Sequence, residues 1–204
     1  MWSLSFEWLL LAVLVFWVVG AYKRLSRLRA SCIQQFGALD AHLGQWLALL
    51  QQYQAESKSE DRPAAQVHAE AALEQTLIQL QSALAEARSR PLRETALASL
   101  EHSCSAVNVA WQAVLSVMLD EAEEVQQASM AWQKRWAEHQ VRNHLGLQHF
   151  NQAVNQYNTA IAQYPARLLA GLLGLRSVRA LAPMAAALNP QEIKHEAQAR
   201  SIKA

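Results

Sequence analysis

The first 53 residues limit the possible folds most strongly, because an apolar segment runs directly into an amphipathic helix. Residues Trp8 to Gly20 carry no charge. Together with Met1 to Phe6 they reach the roughly 20 residues that a membrane-spanning helix requires. Apolar residues then recur at alternating steps of three and four, which is the spacing of one helix face: Cys32, Phe36, Leu39, Leu43, Trp46, Leu50 and Tyr53. The sequence predicts one continuous helix whose second part needs partner helices.

The charges around the apolar segment predict that it is an uncleaved membrane anchor. A cleaved signal peptide carries positive charge before its apolar core, whereas in this chain the positive charges follow it. Positively charged residues next to a span stay on the cytoplasmic side. We therefore expect a single-pass protein with a very short N-terminus outside and the rest of the chain in the cytoplasm. The charges that support this orientation are Lys23, Arg24, Arg27 and Arg29.

Composition and helical spacing predict an all-α chain, with the anchor continuing into an antiparallel bundle of about four long helices. Only six Gly and five Pro occur among the 204 residues. Breaks are expected at Glu56 to Pro63, where Asp61 is a plausible N-cap, at Ser89 to Pro91, and after Leu119. The predicted regions are an anchor at 1–21, a bundle at 22–165 and a basic amphipathic segment with a tail at 166–204.

A stripe of amides on the predicted fourth helix and one acid on the first are candidate polar contacts between helices. Asn is a mediocre helix former, so a row of Asn inside a helix favours amide bonds across a packed interface. The alternative is that these side chains are solvated. Gly37 and Gly44, seven residues apart, could likewise admit a close backbone, or be two tolerated weak positions. The candidate interhelical contacts are Asp40, Asn151, Asn155 and Asn158.

The residues after Pro165 predict a surface that contacts membrane lipid. Leu168, Leu169, Leu172 and Leu173 accompany three arginines, and a basic amphipathic segment of this kind lies in the interface of anionic membranes. The alternative is a short helix folded back onto the bundle. The candidate membrane-surface contacts are Arg167, Arg176 and Arg179.

The sequence contains no pattern that indicates catalysis, a metal or a cofactor. His139, His144 and His149 are spaced by five, so each is turned some 140° from the last on a helix, and they cannot share one local metal site. Cys32 and Cys104 occupy apolar helix positions and are interpreted as small core residues rather than a disulfide. The net charge of +1 gives no support for binding nucleic acid.

Two stretches resemble the LemA family. Near the C-terminus, FNQAVNQYNTAIAQYPARLLAGLLGL is similar to the family's last-helix signature through Asn151, Ala153, Val154, Tyr157, Asn158, Ile161, Pro165, Ala170 and Gly174. Near the N-terminus, the match to the tyrosine-led first helix runs through Tyr22, Leu25, Arg29, Asp40 and Leu43. Lys23 stands where the family usually has Asn, so the chain resembles a divergent member. The resemblance implies a single-pass bacterial membrane protein with a helical bundle, and it supplies no catalytic activity.

The expected function is therefore a non-catalytic scaffold or interaction module at the inner face of the bacterial cell membrane, acting on protein partners or through self-association. One alternative is a membrane-linked sensing or signalling module, although the expected exterior portion is too short to receive a ligand. The other is a lipid-surface-binding helical protein whose bundle opens at the membrane.

Overall fold

A computed structural model describes the backbone of residues 2–57, 63–119, 123–164 and 166–183, and the side chains of these ranges except those of 2–6 and 123–125. The described residues form five α-helices and no strand, which confirms the prediction of an all-α bundle with a long N-terminal helix. Asp61, Pro165 and the tail from 184 onward, which entered the sequence analysis, lie outside the described residues. The helices are α1 (Trp2–Glu56), α2 (Ala64–Ser89), α3 (Glu94–Leu119), α4 (Glu123–Ala162) and α5 (Ala166–Leu172).

Helix α1 combines an exposed apolar segment with a buried seam and runs for 55 residues. Its first part is long and apolar enough to cross a membrane, and its large side chains are exposed, with Phe16 at 82%. From Leu25, which is 1% exposed, the seam predicted by the three-four spacing is buried. The change from outward-facing to inward-facing apolar residues takes place within one helix without a break.

The bundle consists of two antiparallel pairs, α1 with α4 and α2 with α3. The first pair is fixed by the edge-to-face contact of Phe36 with Phe150, whose ring centroids are 6.0 Å apart, and by close approach at Gly146. A Cβ on Gly146 would lie 3.1 Å from the His42 ring and 3.5 Å from Cα of Leu39. Gly146 is thus the glycine at which two helices meet closely.

Gly37 and Gly44, singled out for close approach in the sequence, do not have that role. Nothing lies within 4 Å of a Cβ built on Gly37, and only the flexible Arg88 guanidinium comes as near as 4.0 Å to one on Gly44. These two positions turn away from α4, so the interpretation as tolerated weak positions is the correct one.

The two helix pairs do not have the same extent toward the apolar segment. The end of α2 lies at the level of Asp40, because Arg88 near that end pairs with Asp40. Helix α4 extends beyond this level, so that Gln163 and Tyr164, just after its end, lie beside Phe16 and Trp17. We call this end of the molecule the proximal end and the end at Glu56 the distal end. Residues 175–183, which we call the strap, are not helical and return along the bundle from the proximal end.

Candidate functional site at the proximal end

Two asparagines of α4 hold the strap by its main chain. The Asn158 side chain accepts a hydrogen bond from the Val178 N–H at 2.9 Å and donates one to the Val178 carbonyl at 2.7 Å. Asn151 makes the same pair of bonds with Leu181, at 2.9 and 2.8 Å. An amide side chain carries both a donor and an acceptor, so each asparagine satisfies both backbone groups of one strap residue, as a neighbouring β-strand would.

The spacing of the two pairs shows why the strap is extended. Asn151 and Asn158 are seven positions apart on a helix, or about 10 Å at the helical rise. Val178 and Leu181 are three positions apart, and only an extended chain spans about 10 Å in three residues. Both strap side chains are buried, at 6% and 4% exposure, in the same core as Phe36 and Phe150. The strap therefore completes the core at a place where the bundle lacks a helix.

The candidate polar contacts thus have different outcomes. Asn151 and Asn158 make part-buried hydrogen bonds. Their partner is the backbone of the strap, whereas the prediction was a partner on a facing helix. Asn155 is exposed and makes no side-chain hydrogen bond to any residue that the structure describes. Asp40 does bridge helices, and its partner is a guanidinium: Arg88 Nε donates to both carboxylate oxygens, at 2.9 and 3.0 Å.

The three candidate arginines do not form one surface. Arg179 lies on the strap and pairs with Glu101 of α3 at 3.2 Å, and the same carboxylate accepts the Ala182 N–H at 3.3 Å. Its guanidinium is therefore bound to the bundle, in agreement with the alternative in which this segment folds back. Arg167 and Arg176 are exposed.

Helix α5 keeps most of its apolar side chains in contact with solvent. Leu168 is 60% exposed, Leu172 85% and Leu173 47%, while Ala170 is buried. The turn that follows the short helix contains Gly174, whose φ of 64° suits a residue without a side chain. Helix α5 contacts α1, and its exposed leucines are not part of the bundle core.

Two grooves follow one side of the seam between α1 and α4. The proximal groove encloses about 440 Å³ between residues 13–25 of α1 and the end of α4. The second, which we call the amide groove, encloses about 690 Å³ and lies further along the same seam. Arg24 and Ala160 line both grooves. Sequence reasoning missed this site, because Arg24 was interpreted only as a topology signal, and Asn151 and Asn155 only as contacts between helices or as solvated side chains.

The distal half is closed by aromatic side chains. The Trp136 ring stacks on Trp111 and lies against Trp46, with centroids 5.1 Å apart in both cases. Tyr53 meets Trp111 edge to face at 5.0 Å, and its hydroxyl donates to Glu70 of α2 at 3.1 Å. Between this cluster and Phe150, α4 carries Asn143, a fully buried amide without a hydrogen-bond partner among the described residues.

The titratable groups of the interior are poorly suited to chemistry. Burial raises the pKa of the Cys104 thiol to about 12, so it is a weak nucleophile, and Cys32 is also buried and free. Burial, followed by the charge of Arg142, lowers the pKa of His139. Within the described ranges, no three His, Cys, Asp or Glu side chains are placed to hold a metal ion.

Comparison of the chain with protein-family models, with curated proteins and with solved structures found no match.

Proposed function

We propose that this chain is a single-pass, membrane-anchored helical-bundle protein that acts as a non-catalytic scaffold at the inner face of a bacterial cell membrane. The observation that carries the proposal is helix α1, which contains both the exposed apolar segment and one of the four long helical parts of the bundle without interruption. A rigid connection of this kind holds the bundle at a fixed height and rotation above the bilayer. The basic residues after Gly20 support a cytoplasmic bundle.

A divergent relationship to the LemA family forms part of this proposal. Support comes from two residues of the resembling stretch, because Asn151 and Asn158 are the side chains that hold the strap. The repeated Tyr-Asn and Phe-Asn pairs therefore combine a buried ring, at Phe150 and Tyr157, with an amide that binds backbone. A spacing of seven residues is what two such pairs on one helix face require.

Topology is the first test of the proposal. A reporter fused after Ala204 should behave as cytoplasmic, and a protease added outside intact cells should leave the bundle intact. The protein should also stay in the membrane fraction at alkaline pH, and deletion of residues 1–20 should release it. Cleavage of the bundle by the external protease, or release of the full-length chain, would contradict the proposal.

The scaffold role is tested by stoichiometry. The detergent-solubilised protein, isolated by an affinity tag from cells treated with a reversible cross-linker, should bring down one or a few proteins in near-equimolar amounts. A variant with the same anchor but with residues 22–204 replaced by an unrelated helical bundle is the control. Equal recovery with the control would show that the anchor alone attracts these proteins.

A lipid-surface role is the second candidate, and the exposed leucines of α5 favour it. Leu168, Leu172 and Leu173 are exposed, Ala166 at the start of their helix lies beside Phe16 and Trp17, and Arg167 and Arg176 are exposed as well. We expect a fragment lacking residues 1–20 to bind anionic liposomes weakly at low salt, and Arg167→Glu with Arg176→Glu to abolish the binding. Arg179→Glu serves as a comparison, because Arg179 is paired with Glu101 and its loss should affect the strap instead. A fragment that ignores anionic liposomes would exclude this role.

A further inference from the structure

We propose that the seam between α1 and α4 binds one anionic membrane phospholipid with a hydroxyl-bearing head group, as in phosphatidylglycerol, with its phosphate at Arg24. This inference rests on the membrane placement proposed above and adds a ligand, a site and a head-group preference to it.

The two grooves adjoin along the seam, and we call them together the channel. On α1 the lining residues Val13, Trp17, Gly20 and Arg24 follow steps of three and four, and Leu28 continues them into the amide groove. Such steps place residues on one helix face. On α4 the same steps join Gln148, Gln152, Asn155 and Thr159, and Gln163 follows just after the end of the helix. Arg24 and Ala160 line both grooves, so the two grooves are adjacent at these residues.

The types of residue that line the channel change at Arg24. Toward the apolar segment, α1 contributes only apolar lining residues, Phe16 and Trp17 among them. Away from it, the α4 wall consists mainly of amide and hydroxyl side chains: Gln148, Asn151, Gln152, Asn155, Gln156 and Thr159. The order along the channel is therefore apolar surface, one cation, then hydrogen-bonding groups, which is the order of acyl chain, phosphate and polar head group in a phospholipid.

The groups that would bind the head group have no partners within the described part of the chain. Arg24, Gln152, Asn155 and Thr159 make no side-chain hydrogen bond or ion pair there. A guanidinium binds phosphate oxygens through charge-assisted, often bidentate hydrogen bonds. Amide and hydroxyl side chains both donate and accept, as the hydroxyls of a glycerol head group require. Both groove volumes lie in the range of about 300–1,000 Å³ that is usual for small-molecule sites.

The charges of the channel favour this head group over an amine. Among its described lining residues there is no Asp or Glu, so an ammonium group would find no carboxylate. A lipid is also the molecule that surrounds the apolar end of the channel when residues 7–20 lie in a bilayer. The proposed site therefore discriminates phosphatidylglycerol from phosphatidylethanolamine, and by its amide groove from phosphatidic acid.

The test measures lipid retained by the full-length protein in mild detergent. The delipidated protein is offered equal amounts of phosphatidylglycerol, phosphatidylethanolamine and phosphatidic acid with the same acyl chains, and native mass spectrometry counts the bound molecules. We expect one phosphatidylglycerol per chain, preferred over phosphatidylethanolamine by about ten-fold. Both lipids offer the same phosphate to Arg24, but the ammonium group of phosphatidylethanolamine is repelled by Arg24 and meets no carboxylate among the lining residues. Arg24→Gln should remove this preference.

Two further variants make the result specific. Arg27→Gln removes the same charge from an exposed position outside both grooves and should retain phosphatidylglycerol as the wild type does. Gln152→Ala with Asn155→Ala, both at exposed positions, should lower phosphatidylglycerol to the level of phosphatidic acid while leaving the latter unchanged. If Arg24→Gln and Arg27→Gln lost bound phosphatidylglycerol equally, net charge alone would explain the binding and the proposed site would be wrong. Equal retention of the three lipids by the wild type would also overturn the site.

The same preparation separates this inference from the proposed function. If the chain resists alkaline extraction from membranes and still shows no lipid preference, the lipid site alone is wrong. If the chain is released from membranes, the anchoring itself is wrong. Thermal unfolding of each variant, followed by circular dichroism, shows whether a loss of lipid accompanies a loss of fold, and the exposed double variant provides the test even if Arg24→Gln is poorly folded.

Discussion

The distal and proximal ends of this bundle are closed by different kinds of interaction. At the distal end, helices meet through large side chains, with Trp46, Trp111 and Trp136 in one cluster. At the proximal end, α4 reaches beyond the α2–α3 pair, and an extended strap held by Asn151 and Asn158 takes the place of a helix. Aromatic packing depends on the partner's side-chain shape, whereas the asparagines bind a main chain that every residue shares. At the distal end the contact therefore depends on the side chains of both partners. At the proximal end it depends mainly on the asparagines of α4.

The largest expected effect comes from disrupting the distal end. Trp111 is fully buried, so Trp111→Ala in a fragment of residues 22–204 should lower the free energy of unfolding by about 3–5 kcal/mol, the usual cost of removing a buried Trp side chain. Urea unfolding followed by far-ultraviolet circular dichroism measures it. Because the hydrogen bonds of the strap are made to Asn151 and Asn158 and do not involve Trp111, its amides should keep their protection from hydrogen exchange under native conditions. Selective loss of strap protection would show that the two ends are not independent.

A smaller, local effect is expected at the strap. Asn158→Ala removes two hydrogen bonds to Val178 and should cost about 1–3 kcal/mol, at roughly 0.5–1.5 kcal/mol for each net bond. Hydrogen exchange should accelerate in residues 175–183 and hardly at all around Trp111. Asn155→Ala, on the same helix but exposed, is the matched control and should change neither quantity. If Asn158→Leu left the free energy of unfolding unchanged and the strap still protected, burial of Val178 and Leu181 would be sufficient to hold the strap without the amide bonds.

A third prediction contrasts the two kinds of glycine on the α1–α4 pair. Gly37→Ala should raise the free energy of unfolding by up to about 1 kcal/mol, because it relieves the helix-propensity cost of Gly at a position with open space. Gly146→Leu should lower it, since even the first added carbon lies 3.1 Å from His42. Thermal unfolding of both variants measures the difference. A stabilising Gly146→Leu would mean that α1 and α4 can separate without loss.

The smallest effect is expected for the ion pair at the boundary between the two ends. Arg88 is 55% exposed beside Asp40, and exposed pairs contribute about 0.2–1 kcal/mol. Asp40→Asn should therefore reduce stability by no more than this, and the effect should vanish at high salt. Chemical unfolding at low and high salt tests it. A salt-independent loss of several kcal/mol would indicate that Asp40 fixes the end of α2 more firmly than its exposure suggests.

The helices were predictable because their signals are local. The three-four spacing from Cys32 to Tyr53 marks the buried face of α1 by itself. The break near Pro63 separates α1 from α2, and the break near Pro91 separates α2 from α3. The strap had no such signal, since Val178 and Leu181 stand alone among small and basic residues. Nothing in one sequence shows that the amides of Asn151 and Asn158 bind a segment 20 to 30 positions later.

The candidate site was predictable to the same limited degree. The amide stripe predicted contacts for Asn151, Asn155 and Asn158 alike, whereas in the structure Asn155 makes no side-chain hydrogen bond to a described residue. The arginines after Pro165 formed one basic group in sequence, yet a distant carboxylate, Glu101, separates Arg179 from the others. Arg24 became notable only when α4 was found beside it. Each of these outcomes depends on packing between helices, which spacing along one chain does not contain.

The continuity of α1 also makes the direction in which the bundle faces a property of helical phase. In the proposed membrane-anchored state, adding one residue near Tyr22 would rotate the whole bundle by about 100° around the α1 axis and raise it by about 1.5 Å. Seven added residues would nearly restore the original facing while lifting it by about 10 Å. Activity that follows the rotation would mean that a partner in the membrane meets one side of the bundle. Activity that follows the height alone would mean that the molecule serves as a spacer.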